Sequence, residues 1–556
     1  MEGLRTEIQR IVFPPDTRNR DGYLSFKPPA ESPPGKPPVW EGRSLLLSRG
    51  WTAILDGPLN RLSESAWAPA GIEELALSAV VSGVGTLEVL RRLPGGDERV
   101  LSSQAFDTPA AGAQAAEVTC EVTAPDPAEA GALCLRLTAD GDFALLAGAA
   151  WSVAGGVPVP PQVAVGVCGS RCDPTPAAEA IVRDAAACGI VSAAVTSGDP
   201  ATAFARLCLA AREETHILLV DADAGEEPDL AFRALRLAAF VPEAVVGALP
   251  PDAADLALAG LKPCRLLDER REASGLLLVP VAAVRAVGLP LPLGRDGAVA
   301  EYLARLSRAG FPVAALPGMD GCGAPPVCDA EEPLAYVRMR DRLIAASLVG
   351  GEGPVSRARG VFAAVLHLLL VFDYGGAALA CRAVRDWLRG PVCLDCDPGE
   401  LDAALRAEAR QYGQPTLADG AVQIVSHPQA NPLPAGKSRG RILAGLVLES
   451  LTTRKMDSPP TLPVPGFPPE FADPWVVFHG WDLAIRPPVS DGRWRWLHRS
   501  RRRFRRMLPR VLALAVRLAV QGPFAVRRWR RAAGRLAGSG AWRKRLDPEQ
   551  AEARDA

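Results

Sequence analysis

The sequence predicts a chain of mixed class: an all-β N-terminal part, a central α/β part and an all-α C-terminal part. Three observations carry this. Short apolar runs at strand-like spacing continue to Trp151, strands then alternate with helical patterns from about residue 160 to 350, and helical patterns alone follow from about residue 355. At 556 residues the chain is too long for one core. The expected parts are an N-terminal β-sandwich (1–155), an α/β domain (160–350), a helical domain with a Pro-rich connector (355–492) and a basic amphipathic tail (493–556).

The first 45 residues read as an irregular leader, because PPAESPPGKPP (28–38) cannot build regular ladders. SLLLSRGWTAIL, LALSAVVSGVGTLEVLRRL, AEVTCEVTA, ALCLRLTA and FALLAGAAWSV follow, separated by Gly, Pro and Asp. They predict an antiparallel sandwich, whose role is either structural or carbohydrate-binding. GGVPVPPQ (155–162) is a linker. Then VAVGVC, IVSAAVTS, HILLVDAD and AVVGALP read as strands, with PTPAAEAIVRDAAAC, PATAFARLCLAAR and EPDLAFRALRLAAF as helices between them, a doubly wound arrangement. Residues 275–318 add a strand, a loop, a helix and a strand. VFAAVLHLLLVF (361–372) is apolar for only 12 residues, too short to span a bilayer, so it reads as a buried helix. SPPTLPVPGFPPEFADP (458–474) is a connector, and residues 475–486 read as a short extended piece.

HILLVDAD (216–223) is the stretch with chemistry in it. A short Ile/Leu/Val run is a buried strand, and ligands of open α/β sheets gather at strand carboxyl ends. Residues i and i+2 of a strand face the same way, so Asp221 and Asp223 can reach one cation. Two hard oxygen ligands plus substrate phosphates suit Mn²⁺ or Mg²⁺, the D-x-D arrangement of nucleotide-sugar glycosyltransferases. The plain alternative is a strand end with two solvated carboxylates.

Composition narrows the class. Twelve scattered cysteines form no dense framework, which points to a reducing cytoplasm. Cys393-Leu394-Asp395-Cys396 has no second pair or nearby His to complete a zinc site, so buried thiols are expected there. MEGLRTEIQR has no apolar core of a secretory signal. Between Arg493 and Arg545 there are 18 Lys or Arg and no Asp or Glu, so with a net charge of −1 the rest of the chain carries −19.

Several blocks resemble the bacterial polymerising galactofuranosyltransferases of glycosyltransferase family 2. These are LRTEIQRIVFPPD, SGVGTLEVLRR, FALLAGAAWSV, ILLVDADAGEEPDLAFRALRLAAF, LPLPL, AEYLARLSRAGFPVAALPG and AYVRMRDRLIAAS, in that order. The resemblance implies a β-sandwich, a GT-A (Rossmann-like) domain and a helical region. It also implies a UDP-galactofuranose donor, a growing lipid-linked galactan acceptor in cell-envelope polysaccharide synthesis, and inversion at the anomeric carbon. Asp221 and Asp223 match the metal ligands, and Arg171 stands near the family's donor-binding Arg.

The departures from the family pattern are equally specific. Its three consecutive aspartates have become Asp221-Ala222-Asp223. Its W-D-D-A-D block, which holds the general base, falls on Gly297-Ala298-Val299-Ala300-Glu301, so Val299 stands at the base position. Asp296 and Glu301 flank it as candidate replacement bases. The family's third metal ligand, a His, falls near Gly323, where no His occurs, and its acceptor-binding Trp pair falls in SGLLLVP. Residues 152–386 contain no Trp. Two readings follow: a metal-dependent inverting hexosyltransferase, or a catalytically inactive member that partners an active paralogue or assembles as a homo-oligomer.

The tail alternates RSRRRFRR, MLPRVLALAVRLAVQGPFAV and RRWRRAAGRL. Pro509, Arg510, Arg517 and Pro523 argue against a spanning helix. The expectation is helices on the inner, anionic face of the plasma membrane, with Arg501, Arg502, Arg503, Arg505, Arg506, Arg527, Arg528, Arg530 and Arg531 at the headgroups and Trp529 and Trp542 at headgroup depth. Packing of the Arg stems on the acidic body is the alternative. Nucleic acid ranks third, because no recognition module accompanies the charge.

Overall fold

The computed structural model describes residues 5–546 apart from 14–23, 30–35, 42–43, 58–59, 73, 94–96, 109–114, 124–130, 156–159, 169–181, 184–185, 187–189, 198–199, 222–228, 248–275, 294, 315, 317–333, 350–352, 397, 413–415, 418–438, 453–482 and 487–493. Two compact units are present. The first comprises Met1–Leu249, Ala273–Leu289 and Arg305–Pro325, and the second Pro250–Glu272, Pro290–Ala304 and Pro326–Ala556.

In the first unit, ten strands form one hydrogen-bonded sheet whose pairings are all antiparallel among the described residues. Its two long strands are β1 (Glu74–Arg92) and β2 (Ala132–Ala154), paired from Arg92↔Ala132 to Leu75↔Val153. Their register shifts between Ala139 and Ala144 and again between Leu146 and Gly148, the kind of irregularity that bends a sheet. Gly83 sits at the first shift with φ +91°, and a Cβ there would collide with the Phe143 carbonyl, so both conformation and space require glycine. Alternation along β1 sends Leu75, Leu77, Ala79 and Val81 inward to a core that also holds Trp67 and Trp151.

The same unit carries a six-stranded mixed sheet. Its strands are β3 (Gln162–Cys168), β4 (Ile190–Ser197), β5 (His216–Asp221), β6 (Val245–Gly247), β7 (Leu276–Pro280) and β8 (Val313–Ala314), in the order β4-β3-β5-β7-β6-β8. The strands read from sequence are all present, but the sheet is not uniformly parallel. β5 runs parallel to β3 and antiparallel to β7, and β7 is also antiparallel to β6. A buried apolar run such as LLLV looks the same in either direction, so sequence does not reveal this reversal. Helices α1 (Pro200–Ala210) and α2 (Leu230–Phe240) are built in the same unit. Most of the helix read in PTPAAEAIVRDAAAC, the Pro-rich leader at 30–35 and the connector at 458–474 lie outside the described residues, and of that helix only residues 182–183 and 186 are described, as helical.

The second unit is mainly helical. Helix α3 (Arg295–Arg308) begins in it, and α4 (Leu334–Val349), α5 (Pro354–Leu370) and α6 (Tyr374–Arg389) belong to it wholly. Pro354 at the first turn suits α5, since that N–H has no helical partner in any case. Asp373 caps α6 by accepting from the Gly376 N–H at 2.8 Å. The apolar stretch read as a buried helix is the C-terminal part of α5, with Leu368, Leu369 and Leu370 buried.

The tail forms one continuous 36-residue helix, α7 (Arg501–Leu536), followed by α8 (Ser539–Leu546). Pro509 and Pro523 lie inside α7 without ending it. Packing explains this: Phe504, Met507, Val511, Leu514, Leu518, Gly522, Ala525, Trp529, Ala532 and Leu536 are buried at steps of three or four, so one face stays against the unit for the whole length. That face meets α5, α6 and α4. By length and composition α7 could cross a membrane, but so could a docked helix, and its inner face is docked.

His367 on α5 is buried, and neither ring nitrogen has a hydrogen-bond partner. Burial alone pushes its pKa down from 6.5 to about 3. The folded state therefore binds fewer protons than the unfolded state between those values. This contribution to stability is complete above pH 6.5 and is lost as pH falls toward 3. Replacing His367 by Leu should remove this dependence. Relative to wild type, the variant should gain about 2 kcal/mol between pH 7 and pH 5 in urea unfolding curves. Parallel pH profiles for the two proteins would contradict the assignment.

Candidate functional site

The residues read from sequence as donor- and metal-binding begin at the end of β5. At its start, Thr215 Oγ1 donates to the Gln162 carbonyl at 3.0 Å, and the His216 ring bridges Thr215 Oγ1 (2.9 Å) and the Pro242 carbonyl (3.1 Å). Burial lowers the His216 pKa from its ordinary value. At the other end Asp221 pairs with Cys168 of β3, and Cys168 Sγ donates to the Val220 carbonyl at 3.4 Å. Asp221 is thus the last residue of an interior strand, at its carboxyl end. Its side chain lies outside the described residues, as do Asp223 and Arg171.

The next described residue, Asp229, is buried with φ 62° and leads directly into α2. Arg10, at the end of the first strand (Arg5–Arg10), reaches Asp229 Oδ1 with Nη1 at 3.3 Å. Its guanidinium lies 4.5 Å from the centroid of the Phe232 ring and also pairs with Glu7. The N-terminal strand therefore fixes the exit of the Asp221–Asp229 segment, as the β3 pairing fixes its entry. Sequence reasoning missed this clamp, because Arg10 and Asp229 are 219 positions apart. It also missed Arg233 on α2, a cation only 1% exposed.

The base block belongs to α3. Asp296 is in its first turn, with its side chain outside the described residues. Val299 is half-buried and Glu301 is 1% exposed. A Cβ on Gly297 would lie 2.5 Å from Asp341 Cβ and 2.8 Å from Asp341 Oδ2. The position that holds a Trp in the resembled family thus has no room here for even a methyl group. Asp341 on α4 is buried and accepts from Arg340 Nε at 2.8 Å. Next to that pair, Tyr336 donates to Asp386 Oδ2 at 3.0 Å. Asp341 is the carboxylate that sequence reading overlooked. Its only signal was an acid among the closely spaced arginines of YVRMRDRL, on a helix otherwise read as structural.

Asp221 belongs to the first unit, and Asp296 and Glu301 to the second. Asp221 and Asp223 carry the hard oxygen donors that Mn²⁺ or Mg²⁺ takes. Among the described residues, no three His, Cys, Asp or Glu gather into a metal-binding group. The region around Gly323 lies outside the described residues, and β7, where the acceptor-binding Trp pair would fall, is a buried LLLVP strand. Of the C-x-x-C pair, Cys393 is partly buried, with its thiol pushed up to about 12 chiefly by burial, whereas Cys396 is exposed rather than buried as expected.

The chain is 32% identical over 153 residues to the galactofuranosyltransferase GlfT2 of Mycolicibacterium smegmatis, a stretch covering 27% of this chain and 23% of that one. Over that stretch the chain is related to a glycosyltransferase. It spans less than a quarter of the length of that relative. No family model matches. Among solved structures, it is similar to a carbohydrate-binding module of a Cellvibrio mixtus lichenase complexed with cellotriose (TM-score 0.16, 14% identity, 27% of this chain and 100% of the module). It is also similar to the CBM22-1–GH10 modules of a Clostridium thermocellum xylanase (TM-score 0.17, 14% identity, 36% and 40%). Scores this low carry no argument.

The tail residues fall into two groups. Arg502, Arg505, Arg506, Arg527, Arg528, Arg530 and Arg531 are exposed, and Arg501 and Arg503 partly so. Arg528 and Arg530 point back, donating to the Leu388 carbonyl and, at 2.8 Å, to the Ser347 carbonyl. Trp529 and Trp542, expected at headgroup depth, are instead buried. Their indole N–H groups donate to the carbonyls of Trp387 (3.0 Å) and Pro290 (2.9 Å). An aromatic residue between two cationic clusters looks alike in sequence whether it faces lipid or a helix.

Proposed function

We propose that this chain is a galactofuranosyltransferase-like protein of cell-envelope polysaccharide synthesis. It binds a UDP-sugar with Mn²⁺ or Mg²⁺ at the carboxyl end of β5, and a glycan acceptor. Asp221 and Asp223 hold the metal, and Arg171 meets the donor diphosphate. The observation that carries this reading is Asp221 ending an interior strand of an α/β sheet, in a chain 32% identical over 153 residues to a galactofuranosyltransferase. The donor half of a GT-A site is thereby supported more strongly than the acceptor half. Val299 cannot accept a proton, and Gly297 is hemmed in by Asp341. This second observation favours a chain that retains donor binding and works beside an active glycosyltransferase.

The test is thermal. UDP with Mn²⁺ at about 100 times Kd should stabilise the wild type by about 2.7 kcal/mol, and neither alone should do so fully. Asp223→Ala should abolish the Mn²⁺-dependent part. Identical melting shifts in wild type and variant would remove the metal role.

A further inference from the structure

We propose that the outer face of α7 is a docking surface for an anionic lipid bilayer, used while the inner face stays packed in the protein. Leu512, Val516, Val520 and Phe524 are 48%, 65%, 64% and 62% exposed. Spaced four apart, they make one apolar stripe about 18 Å long. The exposed Arg502, Arg505 and Arg506 precede the stripe, and the exposed Arg527 and Arg531 follow it. At 100° per residue all nine side chains fall within one half of the helix, opposite the buried row from Phe504 to Leu536.

This arrangement selects among occupants by charge. The helix carries no acidic residue. A second copy packed antiparallel along the same stripe would set one Arg cluster against the other, which is repulsive. A nucleic acid would satisfy the arginines and leave the apolar stripe without a partner. A bilayer surface with anionic headgroups satisfies both, as interfacial amphipathic helices do, and cytoplasmic leaflets carry such headgroups. Crossing the bilayer would require undocking the inner face, breaking the Trp529–Trp387 hydrogen bond and immersing Arg510 and Arg517. The membrane contact therefore runs through the aliphatic stripe and Phe524, not through the tryptophans.

The test uses the full chain and sedimentation with phosphatidylcholine vesicles containing about 30% phosphatidylglycerol, a typical anionic surface. Wild type should co-sediment with these and much less with pure phosphatidylcholine, and raising salt to about 0.5 M should weaken binding. Val516→Glu/Val520→Glu should lower binding roughly ten-fold or more with the thermal midpoint unchanged, because both positions are exposed. Should that pair perturb folding, Val516→Gln/Val520→Gln/Phe524→Gln gives the same readout without added charge. Absent wild-type binding, or equal binding by a folded variant and wild type, would overturn the proposal. So would a variant that loses self-association in sedimentation velocity while still binding vesicles, because the stripe would then be an interface between copies.

Discussion

Trp529→Ala is expected to destabilise the helical unit by about 3–5 kcal/mol, the range for deleting a large buried aromatic side chain. Trp529 is 0% exposed and lies midway between Ala525 and Ala532 on the buried face of α7. Its loss leaves a cavity and removes the donor to the Trp387 carbonyl, which the Trp387 indole side supports by donating to Ser347 Oγ at 3.2 Å. Arg528 and Arg530 make further bonds to the Leu388 and Ser347 carbonyls, so the turn around Trp529 ties α7 to both α6 and α4. The measurement is the urea midpoint followed by intrinsic fluorescence, with Val516→Ala as an exposed control on the same helix. Equal midpoints for Trp529→Ala and the control would contradict a docked tail. For the same reason, deleting residues 493–556 should unfold the second unit rather than yield a soluble body freed of its anchor. Point substitutions on the outer face are therefore the informative way to probe membrane binding.

The tail also shows what could be read in the sequence. The spacing of Phe504, Met507, Val511, Leu514 and Leu518 announces one buried face, and the 18 cations between Arg493 and Arg545 announce a charged one. What could not be read is which aromatic residue faces which way, since Trp529 is flanked by arginines on both sides whether it meets lipid or Trp387. In the α/β sheet, HILLVD and its neighbours were legible as strands because apolar runs of five or six bounded by polar residues have few other uses. The antiparallel direction of Leu276–Pro280 was not, because direction is set by the connections and not by the strand's own residues. The place of Asp221 at the strand's end was legible from its position after the apolar run. The Arg10–Asp229 clamp and the Gly297–Asp341 contact were not, because each joins residues far apart in the chain by packing that leaves no local pattern.

Purified protein is expected not to extend a galactan primer from UDP-galactofuranose, even with Mn²⁺ present. An acceptor hydroxyl is a weak acid, so inverting transfer needs a positioned carboxylate within hydrogen-bond reach, and its absence typically costs 10² to 10⁴-fold. Val299 stands at the matched position and cannot accept a proton. The aromatic wall is missing as well, with no Trp in residues 152–386 to orient a sugar, and orientation is a large part of the rate. These deficits bear on one step and should compound. For the same reason Val299→Asp alone should not restore transfer, since it supplies neither the Trp that Gly297 leaves no room for nor the missing His.

The decisive measurement is chain extension by the purified protein, followed by mass spectrometry of the primer after incubation with UDP-galactofuranose and Mn²⁺. The account predicts an unextended primer from a protein that UDP and Mn²⁺ nonetheless stabilise. Robust extension would contradict it. In that event, loss of the activity in Asp296→Ala, with retention in Glu301→Gln, would identify Asp296 as the base.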